Sequence, residues 1–344
     1  MRESVRALNF ESEKEQYIDV LQAHLPYLPH ARLFQWLYHQ NPEGRALAWV
    51  AVGSDVKRII GAAAAFPRRF YYGGGETRGY VLGDFCVTPE NRALGLALAL
   101  QKACLEGIAK DGDFAYDFPG RSMLAVYQRL RIEMKGTMIR YSKPLRTDRK
   151  IERVVPLGGV ARSLSAMANA TLRLRDAGYR HHGDWMIAVE EGPWGSEFTE
   201  AGRRWSSPEQ ICVARTTEYL NWRYQQHPER HFEMLTARQN GSLCGYLVRH
   251  VMGEDCAVCD LLAESDLVAK ALVRETIAFA RKQGLHRVNV PWMSGHAGAR
   301  VLESCGFRPR ESTPLVLLTL LRAKSKGIAE ENHPWHLTDG DRES

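Results

Sequence analysis

The sequence predicts an α/β fold built of two similar halves, and three observations carry that reading. A chain of 344 residues is long for one core and comfortable for two domains of about 150 residues each. Its composition, 44% apolar and 25% charged, is that of a folded globular protein. A short aromatic segment occurs twice, and each copy is followed by the same succession of strands and helices.

The segments are FQWLYHQNP at 34–42 and LNWRYQQHP at 220–228, in which Trp36, Tyr38, Gln40 and Pro42 match Trp222, Tyr224, Gln226 and Pro228 at an offset of 186. Behind the first, ALAWVAVG and VKRIIGAAAAF run apolar around Gly53, as a hairpin does. Behind the second, FEMLTARQNGSLCGYLVRHV has the same layout, with Asn240-Gly241 as a two-residue turn. Each half then has a strand carrying an acid, YVLGDFCV with Asp84 and CAVCDLLA with Asp260. A helix follows in each (LGLALALQKACLEGIAK; LVAKALVRETIAFARKQG), then a strand (FAYDFP; RVNVPW) and a short helix (SMLAVYQRLR; AGARVLESCGF). Each half closes on a further strand. These assignments place a first domain at 1–146, an inter-repeat segment at 147–205, a second domain at 206–322 and a polar tail at 323–344. The inter-repeat segment holds a helix with an arginine face (Arg162, Arg173, Arg175) and a strand, DWMIAVEE. That face is either solvated or meets an acidic partner. The ending HPWHLTDGDRES is polar, which predicts a loosely packed tail.

No apolar run reaches the roughly 18 residues of a spanning helix, and the start of the chain has no secretory pattern, so a cytoplasmic location is expected. The seven cysteines are odd in number and scattered, and Cys256-x-x-Cys259 lies in an apolar strand without a second ligand pair. Core cysteines are expected, with neither a disulfide framework nor a metal. The formal charge of +6 favours an anionic partner. The arginines are dispersed, which weakens the case for nucleic acid, and charge alone does not choose between it and a phosphorylated cofactor.

Residues 86–102 read CVTPENRALGLALALQK: a strand stopped by Pro89, a small-residue turn, then a helix. The turn Arg92-Ala93-Leu94-Gly95-Leu96-Ala97 joins a cation to positions with little side chain. A pyrophosphate needs such a place, with free backbone N–H groups at a helix start and room to approach them. The string Val-x-Pro-x-x-Arg-x-x-Gly-x-Ala, after a strand with an acid, resembles the acyl-CoA signature of the GNAT superfamily of N-acyltransferases. Members of that superfamily also carry a tyrosine in Tyr-x-x-x-Gly-Phe. Here Tyr127 supplies the tyrosine, while Arg131 and Ile132 replace Gly-Phe. The second half keeps Gly306-Phe307 but has Leu302 at the tyrosine position and no glycine in SDLVAK. The resemblance covers roughly 30–145 and, in organisation only, 215–322.

The resemblance implies that each half is a mixed, mostly antiparallel sheet flanked by helices, with two central strands splayed around the pantetheine arm. Phe85, Cys86 and Val87 would pair with that arm, and the turn from Arg92 to Ala97 would hold the pyrophosphate. An amine then attacks the thioester directly, which needs a base, an oxyanion donor and an acid for the leaving thiolate. Asp84 stands where members carry a carboxylate base, Asp117 is a second candidate, and Tyr127 matches the thiolate acid. Acetyl-CoA or another acyl-CoA is the expected co-substrate, and a small-molecule or sugar amine the acceptor. Two other functions remain open: a Fem-type transferase using aminoacyl-tRNA, and a non-catalytic acyl-CoA-binding protein.

Overall fold

A computed structural model of the chain describes residues 4–25, 30–53, 58–92, 94–132, 134–148, 151, 158–177, 183–207, 209–296, 298–319 and 335–343. Strand β1 (Ser4–Ala7) and helix α1 (Lys14–His24) come first. The first aromatic segment is a helical turn, α2 (Ala31–Phe34), that runs into a π-helical turn at Gln35–His39. Then come β2 (Leu47–Val52), β3 (Ile59–Tyr72), β4 (Gly75–Val87), α3 (Leu94–Ile108), β5 (Phe114–Asp117), α4 (Arg121–Arg129) and β6 (Met134–Pro144). The connecting segment holds α5 (Gly158–Ala177), β7 (Met186–Glu190), α6 (Glu197–Trp205) and β8 (Ile211–Val213). The second aromatic segment repeats the first, α7 (Thr217–Leu220) running into a π-helical turn at Asn221–Gln225. It leads to β9 (Glu233–Gln239), β10 (Ser242–Met252), β11 (Asp255–Ala263), α8 (Asp266–Lys282), β12 (Arg287–Met293), α9 (Ala299–Ser304) and β13 (Arg308–Thr319). The chain ends in β14 (Trp335–His336) and a 3-10 turn at Asp339–Asp341.

Local chemistry accounts for these elements. Asn240 and Gly241 both take positive φ, 51° and 83°, as a hairpin turn matched to strand twist requires. Helix α3 buries Leu96, Leu100, Cys104 and Ile108, one residue per turn along a single face. Helix α8 starts at Ser265, whose hydroxyl caps the N–H of Val268.

The strands form one sheet in the order β1-β2-β3-β4-β5-β13-β6-β12-β11-β10-β9-β7, with β8 and β14 attached to its side. Pairing is mostly antiparallel, with β4 parallel to β5 and β11 parallel to β12. The last strand of each half is exchanged: β13 pairs with β5, β6 pairs with β12, and β6 and β13 pair with each other. Neither half's sheet is complete without a strand from the other.

The two aromatic segments meet reciprocally. Trp36 Nε1 donates to the carbonyl of Trp222 at 2.8 Å, and Trp222 Nε1 donates to that of Trp36 at 3.0 Å. Their rings stack at 4.7 Å. The contact is reciprocal: each indole donates to the other tryptophan's carbonyl. One face of the sheet carries a large core shared by both halves, including Tyr17, Trp36, Phe66, Trp222 and Tyr246. On the other face α3 and α8 cover separate cores, one per half.

The tail differs from expectation. Trp335, His336, Leu337, Thr338 and Asp341 are buried, Asp341 completely. Its polar groups are buried because they are paired: Thr338 and Asp341 cap one another, and Arg215 reaches both oxygens of Asp341, at 2.7 and 2.8 Å. All seven cysteines are free and buried, Cys256 and Cys259 among them in the apolar strand β11. Among the described residues no helix is long and apolar enough to cross a membrane.

Candidate active site

Strands β4 and β5 pair only from Gly79 to Val81, opposite Phe114 to Tyr116. Beyond Val81, β4 continues to Val87 without β5 beside it, and the strands part. Within that stretch the β3–β4 ladder jumps from Ala64↔Gly83 to Ala62↔Cys86, so Asp84 and Phe85 together face Ala63. This is a bulge, and Asp84 takes the left-handed backbone it needs, φ 49°. Bulges re-aim side chains and free backbone groups from the ladder.

A cavity of about 760 Å³ opens beside the bulge. Phe85, Cys86 and Val87 from β4, and Arg92, Leu94 and Ala97 from the turn into α3, line one side of it. Gly120, Arg121, Met123 and Val126 at the start of α4 form the other, with His24 at the rim. Gly95 is exposed, and a Cβ built on it would touch nothing within 4 Å, so its backbone is open to approach. The Leu96 side chain turns away into a small cluster with Ala51 and Ile60. Ala93 lies outside the described residues. Sequence motif and cavity thus coincide on two elements joined by one turn. No group of three or more metal-ligating side chains occurs among the described residues.

Asp84 is buried and accepts a hydrogen bond from the Tyr38 hydroxyl on Oδ2, while its Oδ1 has no partner. Tyr38 in turn contacts the Tyr17 hydroxyl at 3.1 Å. Burial, with the Glu343 carboxylate adding to it, pushes the Asp84 carboxyl well above the usual carboxylate range. Tyr127 follows Val126 on α4 but turns inward, and its hydroxyl donates to Asp117 Oδ2 at 2.6 Å. Burial pushes Asp117 up to about 7, against the hydrogen bond from Tyr127, which lowers it. Burial also pushes the Tyr127 phenol well above its ordinary value, and the Asp117 charge adds to that. Tyr127 is at once a core aromatic, packed among Trp49, Tyr80 and Leu82, and a proton-bearing partner of Asp117.

The end of α4 resolves the departure from Tyr-x-x-x-Gly-Phe. Arg131 stands at φ 58°, where Gly306 in the second half stands at φ 87°. Ile132 N–H closes on the Tyr127 carbonyl at 2.9 Å, as Phe307 N–H closes on that of Leu302 at 3.1 Å. The turn is kept without its glycine.

Sequence reasoning missed three contributors. Tyr38 was within reach, because Tyr38 and Asp84 are repeated as Tyr224 and Asp260, which also meet, at 3.3 Å. Glu343 carried no local signal. It comes back against β4, so that a Cβ on Gly83 would lie 2.8 Å from its Cγ, and it raises both Asp84 and Asp117. Arg215 is the third. In the second half the strands part likewise after Ala257↔Asn289, but Thr338 bridges to Trp292 in that gap. The guanidinium of Arg215 lies 2.7 Å from both Asp260 and Asp341. A Cβ on Gly340 would lie 1.9 Å from the Tyr224 hydroxyl, so only glycine lets the chain pass there. The tail thus fills the second gap and ends at the first.

No protein-family model matches the sequence, and no curated protein does. Solved structures do match. A GCN5-related N-acetyltransferase from Anabaena variabilis aligns with a TM-score of 0.65 at 14% identity, over 92% of this chain and 72% of the other. One from Kribbella flavida aligns at 0.60 and 16%, over 92% and 71%. The N-myristoyltransferase of Saccharomyces cerevisiae, solved with myristoyl-CoA, aligns at 0.61 and 11%, over 92% and 82%. Parted strands, the β4 bulge and the strand-to-helix turn all sit in one architecture, and this chain has the fold of the GCN5-related N-acetyltransferases.

Proposed function

We propose that the chain is an acyl-CoA-dependent N-acyltransferase whose first half holds the acyl-CoA and whose second half is a copy that no longer does. The observation that supports this most is the convergence on one cavity of Phe85, Cys86, Val87, Arg92, Leu94 and Ala97. The pyrophosphate would lie on the turn from Arg92 to Ala97, where backbone N–H groups at the start of α3 and a guanidinium meet an anion. The pantetheine arm would run along the bulged edge of β4 and put the thioester in the gap, where a backbone N–H of the bulge receives the oxyanion. The acceptor is a primary amine, with acetyl the simplest acyl group.

The proton transfers proposed here rest on the two carboxylates. Asp84, expected as the base, is held well above the usual carboxylate range by burial and by the Glu343 carboxylate, which disfavours its charged form. Asp117, pushed up to about 7, is matched to accepting a proton there. In the proposed reaction the amine lone pair forms the C–N bond, and the nitrogen's proton passes to Asp117. The C–S bond breaks, the thiolate takes the proton of Tyr127, and Tyr127 recovers one from Asp117. Asp84 and Tyr38 lie buried at the bulge, joined by a hydrogen bond. The second half departs where it must, with Ser265 capping its helix and the tail in its gap.

Gly95→Val tests the assignment of halves. Nothing surrounds that Cβ, so the protein should fold normally while the branched side chain blocks the pyrophosphate. Calorimetry should show acyl-CoA binding lost. Retained affinity would remove the turn from the site and shift the weight to another binding mode.

A further inference from the structure

Helix α5 takes no part in the site above, yet one of its faces is built like a binding surface. Arg162, Ser165, Asn169 and Arg173 line a recess of about 380 Å³, with Asp148 opposite them. Their spacing puts all four on one side of the helix. Ser165 is 4% exposed, and its hydroxyl has no hydrogen-bond partner. Arg162 and Arg173 are exposed, and neither has an ion-pair partner among the described residues. The one carboxylate at the recess among the described residues is already held: Asp148 accepts from Arg146 at 2.7 Å and from Asn169 at 3.0 Å. A contiguous cavity of about 210 Å³ shares Asn169 and Arg173 and adds Arg146 and Arg281. Arg281 is taken up by Asp176, which also holds Lys143 at 2.8 Å.

Among the described residues, positive charge therefore exceeds negative around the two cavities, and two guanidinium groups and one buried hydroxyl are unspent. A multivalent anion seated between these two cations would attract both. Arg162 and Arg173 are three turns apart, roughly 16 Å along the axis, so their long side chains can close from either end on a ligand between them. Guanidinium pairs suit the several oxygens of a phosphate, and a free hydroxyl supplies a further donor. We propose that this recess binds a phosphorylated ligand through its phosphate ester or pyrophosphate group. It shares no residue with the acyl-CoA cavity and does not depend on that reading.

Calorimetry of the full chain with inorganic pyrophosphate tests it. The wild type should bind, and Arg162→Ala with Arg173→Ala should weaken binding about tenfold or more, as expected for lost charged hydrogen bonds. Arg92→Ala, which removes the cation of the other proposed pyrophosphate site, should leave the binding event at α5 in place, and adding the two α5 changes to it should remove that event. Both α5 arginines are exposed, so the double variant should melt like the wild type. Binding undiminished when the two α5 changes are added to Arg92→Ala, or no binding by Arg92→Ala at millimolar pyrophosphate, would each overturn the proposal. The same helix exposes Leu164, Met167 and Leu174, so sedimentation with phosphatidylglycerol vesicles forms a second arm. Sedimentation that the double variant loses identifies a lipid head group as the phosphate source. Pyrophosphate binding without sedimentation identifies a soluble phosphorylated molecule.

Discussion

Asp117 and Tyr127 share a hydrogen bond of 2.6 Å, which ties the proposed rate to a definite pH limb. Asp117 must be ionised to accept the amine's proton, so the rate should rise with pH through about 7 and then level. Asp117→Asn should abolish that limb. The sign for stability is opposite: a carboxyl raised above its unfolded value favours the native state when protonated, and that contribution is lost as pH rises through about 7. Tyr127→Phe keeps the ring in its core and removes only the proton. Turnover should fall roughly a hundredfold with the KM for acyl-CoA near normal. The limb should also move to higher pH, because the hydrogen bond that lowers Asp117 is gone. Unchanged kcat with an unmoved limb would leave Tyr127 as packing alone. A few residues on, Arg131 holds a left-handed backbone that suits glycine better. Arg131→Gly should therefore raise stability by up to about 1 kcal/mol in chemical denaturation, and a loss of stability would mean the side chain does more than the backbone asks of it.

At the scale of elements, the tail from Trp335 to Glu343 decides how the two gaps differ. Arg215 anchors it between Asp341 and Asp260, all three buried. Arg215→Ala would leave two buried acids without their cation, at a cost of about 3–5 kcal/mol. It would also release Glu343 from beside Gly83, so activity should fall further than the loss of folded protein explains. Equal losses of activity and folded fraction, measured by circular dichroism, would confine Arg215 to stability. The tail also shows where sequence reading stops. Periodicity placed α3, α8 and their neighbouring strands, and Asn240-Gly241 placed a turn, because each signal lies within a few residues. A stretch such as HLTDGD reads as solvated on the same local criteria. It is buried only because a guanidinium 126 positions earlier pairs with Asp341, and no local pattern carries that. Glu343 escaped for the same reason. The turn from Arg92 to Ala97 was legible because a small-residue strand-to-helix turn is itself a local pattern. Arg131 in a glycine's place shows that a missing motif residue need not mean a missing turn.

For the molecule as a whole, the exchanged strands are the feature with the widest consequence. Each half's elements were legible, but their partners were not, since an alternating strand such as β6 or β13 carries the same pattern whichever edge it joins. In the first half alone, β5 would have no β13 beside it and β6 would have neither of its partners. Trp36 would lose the ring stacked on it and the carbonyl that accepts from its indole. An open sheet edge beside exposed aromatics associates instead of folding as a monomer. We expect residues 1–146 made alone to be insoluble or oligomeric, and residues 147–344 likewise. Co-produced, the two pieces should assemble into a soluble one-to-one complex, because every contact needed is between them and only one peptide bond is missing. That complex should bind acyl-CoA if the proposed first-half site is right, and its unfolding should depend on concentration as that of a two-chain assembly does. A cooperative, concentration-independent melt of 1–146 as a monomer would show that a half can close its own sheet, and the exchange would then be a route of association and no condition of folding.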